Sequence, residues 1–395
     1  MSNASTLYPR RYYPYLDGFR AVSILWVILH HVQVFFDLRF MSSPEWLPLM
    51  LTAKIGQRGV DMFFVISGFL ITGLLIGDLD GKVRVKRFYL RRIFKIIPSY
   101  LTIVMAGLLL AFLIRDQTFT HFGNFFVRGD NIRYHLQTIP QPVSPEIIGR
   151  YFCFLQNYHE HLITLAHTWS IAIEEHFYLA YPLIFAGIAR MAGGFGARRR
   201  RLVLILIGLI LLTIGYRYVC VTQFLSLNSE STFVRIDALM LGCLLRLAEP
   251  SVQRLPDRLT RWLAPLCLLA GLLIYGWLCG LALHLASLET VTAGQVLWRY
   301  VAIYAAPALL ILAGMLNFRP LVALMSQPAL IAVGKHSYGT YLWHYLLIFP
   351  FALLQDRLPV IPLVGLYVTA SLLAGYLSTI LIERPFLDMR RKYCP

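Results

Sequence analysis

Charge is scarce in this chain of 395 residues: 14% are Asp, Glu, Lys or Arg, whereas 58% are hydrophobic. A soluble surface needs about a quarter of charged residues, so this scarcity excludes an ordinary globular protein. Acidic residues are the rarer sign, with 20 Asp and Glu against 36 Lys and Arg. The basic residues stand in short segments between apolar runs, which is typical of orientation in a bilayer and argues against nucleic-acid binding.

Cysteines are also few, and repeats and low-complexity tracts are lacking. The six cysteines show no CxxC spacing and mostly lie in apolar segments, where a thiol packs as a small hydrophobe. We therefore expect no metal site and no redox chemistry. Because no cleavable signal pattern precedes the first apolar run and no appended soluble domain is evident, we expect residues 1–395 to form a single transmembrane domain.

Apolar segments of sufficient length predict an all-α bundle of about ten transmembrane helices. These segments are 16–36, 58–77, 93–114, 170–190, 202–221, 232–248, 262–284, 295–316, 329–351 and 360–382. The connections on one face of this arrangement, with both terminal segments, carry most of the basic residues, which places both termini in the cytoplasm. A large extracytoplasmic loop is then expected at about 115–168, and its aromatic residues and prolines favour a partly buried lid or a sugar-stacking surface over a solvated tether.

Arg20 and His31 are the most informative pair within the apolar runs. They stand eleven residues apart, about three helical turns, so they share a helix face with roughly 16 Å between them along the axis. Ionisable side chains within a span are costly and usually functional. In the alternative reading both are interfacial, with Arg20 reaching one membrane boundary and the His30–His31 pair lying near the other. The spacing alone leaves both readings open.

Two further features interrupt the spans with polar side chains. Glu174 and Glu175 lie about one turn inside the fourth span with no basic neighbour in sequence, so at least one should face a polar core. Arg91, Arg92 and Lys95 form a basic cluster at the cytoplasmic end of the third span, where either phosphate binding or simple membrane anchoring explains them.

The polar interruptions form an ordered set of blocks that resembles the acyltransferase type 3 family, membrane enzymes that O-acylate bacterial surface carbohydrates. The resemblance extends from about residue 13 to residue 386, and several blocks in one order make chance unlikely. The blocks are LDGFRAVSILWVILHH (16–31), GVDMFFVISGFLIT (59–72), FYLRRIFKIIPSY (88–100), HTWSIAIEEHFYLAYP (167–182), RIDALMLG (235–242), GKHSYGTYLWHYLL (334–347) and ERP (383–385).

The resemblance implies transfer of an acyl group from cytoplasmic acyl-coenzyme A, with acetyl-coenzyme A as the expected donor, to a hydroxyl of an extracytoplasmic or lipid-linked carbohydrate. Arg20 and His31 match the family's essential Arg (or Lys) and His, with His31 as general base or transient acyl carrier. Arg20, Arg91, Arg92 and Lys95 are then expected to bind coenzyme A. The family usually has a second Arg where Lys95 stands, which removes bidentate geometry but keeps the charge.

The remaining site candidates each have a structural alternative. Asp61 either orients His31 or caps its own helix, and His30 is assigned a packing role. On the acceptor side, with Glu174 and Glu175 among the catalytic candidates, we place Trp169, Ser170, Tyr178, Arg235, Tyr341 and His344. For Trp169 the default alternative is membrane anchoring, for Arg235 it is an ion pair, and for Tyr341 and His344 it is hydrogen bonding within the bundle.

The family also implies a location in the bacterial cytoplasmic (inner) membrane and no permanently bound cofactor. The expected partners are the lipid bilayer, acyl-coenzyme A and the carbohydrate acceptor; a homodimer is left open. The rival function is a multi-pass transporter that uses intramembrane Arg, His and Glu as a proton relay. The cytoplasmic basic cluster and the Arg20/His31 spacing favour the acyltransferase, because a transporter requires neither.

Overall fold

The computed structural model describes residues 12–35, 53–76, 79, 84–115, 143–159, 162–223, 228–285, 293–352, 354–355 and 357–393, which contain helices and turns but no strand. The long helices follow the apolar runs, as expected where every backbone N–H and C=O must be satisfied within one segment. They are α1 (Pro14–Phe35), α2 (Arg58–Leu75), α3 (Val85–Arg115), α5 (Trp169–Arg190), α6 (Phe195–Thr222), α7 (Thr232–Val252), α8 (Asp257–Leu285), α9 (Ala293–Met315) and α13 (Val360–Ser378).

Shorter helices lie between and after these. They are α4 (Pro145–Phe152), α10 (Arg319–Met325), α11 (Pro328–Lys335), α12 (Ser337–Ala352) and α14 (Arg384–Tyr393), together with a 3-10 helix at Ile163–Thr168 and a π-helical turn at Thr379–Glu383. The segment predicted as one span at 329–351 is therefore divided. Gly334 weakens the end of α11, and the carbonyl of His336 accepts from the amide of Thr340 to begin α12.

Seven helical segments in the described part of the chain are long and apolar enough to cross a membrane. They are Arg58–Leu75, Val85–Leu113, Ile163–Arg190, Phe195–Thr222, Asp257–Leu281, Leu297–Met315 and Val360–Lys392. The protein is thus an all-helical, multi-span membrane protein. Helices α1, α7 and α12 fall outside this set because α1 and α7 carry polar and charged side chains and α12 has only 16 residues.

The connection predicted at 115–168 contains helical structure. Residues 116–142 lie outside the described residues, but Ser144 caps α4 by accepting from the amide of Ile147 at 3.2 Å. The Tyr100 hydroxyl of α3 donates to the carbonyl of Tyr151 at 2.8 Å, and the Tyr151 hydroxyl accepts from the amide of Leu162 at 2.8 Å. These bonds fasten the end of the connection to α3 and fix the 3-10 helix that leads into α5.

The chain divides into two compact units, each assembled from separate stretches of sequence. The first unit comprises Met1–Ser23, Arg58–Phe88 and Ile173–Ala332, and the second comprises Ile24–Gln57, Tyr89–Ala172 and Val333–Pro395. Helices α1 and α5 each contribute residues to both units.

Glycines set the closest helix contact of the first unit, between α2 and α7. A Cβ added at Gly68 would lie 1.8 Å from the carbonyl oxygen of Leu239, and one added at Gly242 would lie 2.0 Å from that of Val65. Neither position can hold a side chain without separating the two backbones. In lipid, the hydrophobic effect does not drive helices together. Membrane helices therefore associate through close van der Waals packing, which small residues at the crossing points allow.

Candidate active site

Two histidines from distant parts of the sequence meet in the second unit. Nδ1 of His31, on α1, lies 3.1 Å from Nε2 of His344, on α12, and the ring centroids are 5.0 Å apart. His344 is fully buried, whereas His31 is partly exposed. The carbonyl of His344 accepts from the Tyr367 hydroxyl of α13 at 2.9 Å, which fastens this part of α12 to its neighbour.

The hydrogen bonds define which ring nitrogens carry protons. Nδ1 of His344 lies 2.6 Å from the carbonyl oxygen of Tyr341, which can only accept, so Nδ1 carries the proton and Nε2 is an acceptor. Nδ1 of His31, which also lies 3.0 Å from the carbonyl of Val27, therefore donates to His344. In this tautomer Nε2 of His31 bears the lone pair, as a general base requires.

A third histidine lies against this pair. His167, in the 3-10 helix before α5, stacks on Tyr345 with centroids 4.7 Å apart, and Tyr345 in turn presents its ring to His31 at 5.0 Å. Nε2 of His167 lies 3.1 Å from the carbonyl oxygen of Leu342, to which it donates. His167 was not among the candidates selected from the sequence, although His167 is the first residue of the block at 167–182.

Ser170 and Tyr341 complete this cluster. The Tyr341 hydroxyl donates to the carbonyl of His167 at 2.6 Å and lies 2.7 Å from Oγ of Ser170. Because the single Tyr341 proton is used on that carbonyl, Ser170 donates to Tyr341. The second unit thus brings together His31, Ser170, Tyr341 and His344 of the sequence candidates. Within the described residues, no group of three His, Cys, Asp or Glu side chains is arranged to hold a metal ion.

The glutamate pair of α5 belongs to the first unit, and both side chains are partly buried. Glu174 accepts a hydrogen bond of 2.6 Å from the Ser67 hydroxyl of α2. Ser67 was not among the candidates selected from the sequence. Tyr178, one turn further along α5, is buried against Phe177, with centroids 6.3 Å apart, and Trp169 is the partly buried first residue of α5.

Asp61 and Arg235 form one buried ion pair. Asp61 accepts from Arg235 at 2.7 Å and from Arg58 at 3.3 Å, so each of its two oxygens binds a guanidinium. The geometry therefore supports a charge-pairing role for Asp61, and His344 occupies the orienting position at Nδ1 of His31. The ion-pair alternative for Arg235 is the arrangement found, and Arg58 was not selected from the sequence.

Arg20 lies one turn after Asp17 on α1, with 3.5 Å between its Nη1 and the carboxylate and 26% of its side chain exposed. Tyr12 donates to the same carboxylate at 2.7 Å, and this hydrogen bond, together with burial, raises the pKa of Tyr12 to about 12. Tyr12 thus remains a donor at neutral pH. The other three predicted coenzyme A ligands are partly buried side chains of α3, in the second unit: Arg91, Arg92 and Lys95.

Comparisons with known proteins agree with this sequence pattern. A family model described as an acyltransferase domain matches residues 13–382. The Staphylococcus aureus (strain MRSA252) protein SAR0937, named as a presumptive O-acetyltransferase, is 25% identical over 98% of this chain and 60% of its own length. The O-acetyltransferase OatA of S. aureus strain NCTC 8325 is 28% identical over 86% of this chain and 51% of its own length.

The chain thus spans about 60% or less of the length of these relatives. No solved structure matches the fold. Because the family model covers nearly the whole sequence, the chain belongs to the acyltransferase type 3 family.

Proposed function

We propose that this protein transfers an acyl group, with acetyl as the simplest case, from cytoplasmic acyl-coenzyme A to a hydroxyl of an extracytoplasmic or lipid-linked carbohydrate. The observation that carries the proposal is the contact between His31 and His344, which presents a neutral imidazole with a defined tautomer. The O-acetyltransferase names of the relatives agree with this chemistry. Family membership also favours acyl transfer over the transporter alternative.

In the proposed reaction His31 is the general base. Its Nε2 takes the proton of the acceptor hydroxyl while the hydroxyl oxygen attacks the thioester carbonyl carbon. The carbon–sulfur bond breaks, and the proton passes from the imidazolium to the departing coenzyme A thiolate. Nε2 of His344 accepts a hydrogen bond from the Nδ1–H of His31 throughout the reaction. This bond holds the orientation of the His31 ring and stabilises the imidazolium.

A two-step route uses the same residues. In that route Nε2 of His31 attacks the thioester carbonyl carbon and the carbon–sulfur bond breaks, so that coenzyme A leaves as the thiolate and an acyl-imidazolium remains. The acceptor hydroxyl oxygen then attacks the acyl carbon, the carbon–nitrogen bond breaks, and the hydroxyl proton that is released neutralises the thiolate. The two routes differ in one observable: only the second forms a covalent acyl-protein when the acceptor is withheld. Rapid quenching of purified protein with radiolabelled acetyl-coenzyme A distinguishes them.

We assign coenzyme A binding to Arg20 with Arg91, Arg92 and Lys95. Guanidinium groups bind phosphate oxygens in pairs, and the partial exposure of Arg20 leaves it reachable. For the acceptor we assign the hydroxyls of Ser170 and Tyr341 as hydrogen-bonding groups. The hydrogen bond of 2.7 Å between them holds both hydroxyls in place. Because a hydroxyl oxygen has two lone pairs, each can accept a further hydrogen bond from a sugar hydroxyl.

Further assignments on the acceptor side rest on the sequence pattern. They are Glu174 and Glu175 as acid–base groups, and Trp169 and Tyr178 as aromatic surfaces for a sugar ring. We also assign the protein to the bacterial inner membrane, with both termini in the cytoplasm.

The test is mass spectrometry of surface glycans from a deletion strain and from strains complemented with wild-type or His31→Ala protein. Wild-type protein should restore a mass increment of one acyl group per modified sugar, and His31→Ala should not, at equal levels of membrane protein. An unchanged glycan in the deletion strain, together with proton-coupled solute uptake by purified protein in vesicles, would instead identify a transporter.

A further inference from the structure

The first unit contains a cluster of buried charged residues that the proposed reaction does not use. Arg58, Arg235 and Arg217 are 5%, 5% and 1% exposed, and their carboxylate partners Asp61 and Asp237 are 0% and 4% exposed. Arg217 binds Asp237 at 2.5 Å, whereas Asp61 is shared between Arg58 and Arg235. These ion pairs therefore join three guanidiniums to two carboxylates, which gives the five side chains a combined charge of +1.

All five side chains lie at one end of the first unit. Arg58 begins α2 and Arg235 lies in the first turn of α7, while Arg217 is near the end of α6. The distribution of basic residues predicts that this end faces the outside of the cell. Arg299, near the start of α9, lies close enough to Arg58 for its charge to act on it, which adds to the positive potential.

Arg217 also has an unused donor. Its Nη1 and Nη2 bind the carbonyl of Val234 and the carboxylate of Asp237, but its buried Nε–H has no hydrogen-bond partner among the residues that the structure describes. The guanidinium lies 4.8 Å from the ring centroid of Tyr300 and 5.7 Å from that of Tyr304. The two rings stabilise the guanidinium by cation–π contact and exclude water from it, and in such a setting of low dielectric the Nε–H binds an anionic acceptor more strongly than it would in water.

A buried net positive charge is costly unless a counter-charge accompanies it. We propose that this cluster binds an anionic group, a carboxylate or phosphate, carried by the acceptor substrate. The inference rests on the proposed acyl transfer to a carbohydrate and narrows the acceptor class to an acidic sugar or a sugar phosphate. The anion contacts Arg58 and the Nε–H of Arg217, and it brings the charge of the cluster to zero or below.

Arg58→Gln is the discriminating variant because it leaves Asp61 paired with Arg235 while it lowers the charge of the cluster from +1 to zero. Without anion, it should be as stable as the wild type or more stable, because a buried repulsion is relieved. A purely structural ion pair predicts the opposite sign. Arg150→Gln removes a partly exposed arginine paired with the exposed Glu146 on α4 and serves as the matched control.

The experiment measures thermal unfolding of purified full-length protein in neutral detergent at fixed ionic strength. Sodium glucuronate and sodium phosphate are titrated against sodium chloride, with glucose as the neutral sugar. Glucuronate or phosphate should stabilise wild type and Arg150→Gln with saturation, and the apparent Kd should rise about tenfold or more in Arg58→Gln. General salting effects of phosphate act equally on all three proteins and so cancel.

Three outcomes overturn the proposal: no saturable stabilisation of the wild type, equal affinity in Arg58→Gln, or a difference that appears only when anionic phospholipid is added. The last would assign the cluster to a lipid headgroup. Because the assay involves neither coenzyme A nor acyl transfer, these failures leave the proposed function standing. Conversely, saturable anion binding in a protein that transfers no acyl group would overturn the proposed function and the assignment of the anion to an acyl acceptor, and would leave the anion site itself standing.

Discussion

The contact between His31 and His344 can be tested by separating the two hydrogen bonds of the His344 ring. In His344→Gln an amide oxygen can occupy the position of Nε2 and accept the Nδ1 proton of His31, but nothing donates to the Tyr341 carbonyl. In His344→Asn the amide nitrogen can occupy the position of Nδ1 and donate to that carbonyl, but the side chain does not reach His31. The two variants thus separate the contact with His31, which is catalytic, from the contact with the Tyr341 carbonyl, which is structural.

The expected magnitude follows from the bond that each variant loses. A hydrogen bond is worth about 0.5–1.5 kcal/mol net, and about 1.4 kcal/mol corresponds to tenfold in rate, so His344→Asn should lower kcat by about three- to tenfold. Removal of the base itself should cost roughly 10²- to 10⁴-fold, which is more than the loss of one orienting hydrogen bond. His344→Gln should keep kcat within about threefold of wild type but lower the melting temperature, because it leaves a buried carbonyl without its side-chain donor.

The assay is release of free thiol from acetyl-coenzyme A by purified protein in the presence of acceptor glycan, with the acetylated product counted by mass spectrometry. The KM for acetyl-coenzyme A should be unchanged in both variants, since neither alters a phosphate contact. If His344→Asn retained wild-type kcat while His344→Gln lost it, the tautomer argument would be refuted and His344 would be a packing residue.

Three further predictions follow from other parts of the structure. His31→Ala should lower transfer about 10²-fold or more, while His30→Ala, whose Nδ1 lies 3.1 Å from the carbonyl oxygen of Ala53 and whose ring centroid lies 5.5 Å from that of His31, should retain most activity; equal losses in two folded proteins would contradict this. Arg20→Ala should weaken coenzyme A binding about tenfold and flatten its salt dependence, measured by calorimetry, and undiminished binding would move the nucleotide site elsewhere. Gly242→Ala should destabilise the protein by about 1–3 kcal/mol in a denaturation assay, whereas Gly208→Ala, with open space around it, should not.

The sequence determined the class of this protein because apolar length and scarcity of charge are properties of a chain that any packing must respect. Helix α2 and helix α5 begin within one residue of prediction, at Arg58 and Trp169, because lipid forces the backbone bonds of an apolar run into a helix. The break at His336 was not predicted, since hydropathy averages over the one weak turn that divides a span. About ten spans were predicted, whereas the length and composition of the helices identify seven membrane-spanning segments among the described residues.

The sequence also located His31. The ordered polar blocks indicated the family of the chain, and the fixed helical spacing placed Arg20 and His31 on one helix face without tertiary information. The partner of His31 could not be read in the same way. His344 is more than three hundred residues away along the chain, and only the packing of α12 brings the two rings to 3.1 Å. The tautomer that makes Nε2 of His31 a base is supported by that contact and by the carbonyl of Val27 one turn earlier on the same helix.

The charged residues show the same division. Glu174 looked isolated because its donor, Ser67, lies on another helix at 2.6 Å. Asp61 looked available to a histidine until packing placed Arg58 and Arg235 on its two oxygens. A sequence records which ionisable groups are buried, because hydropathy marks them. It does not record all the groups that neutralise them, because Asp61 pairs with Arg235 of another helix as well as with Arg58 of its own, and tertiary packing alone decides which helices meet.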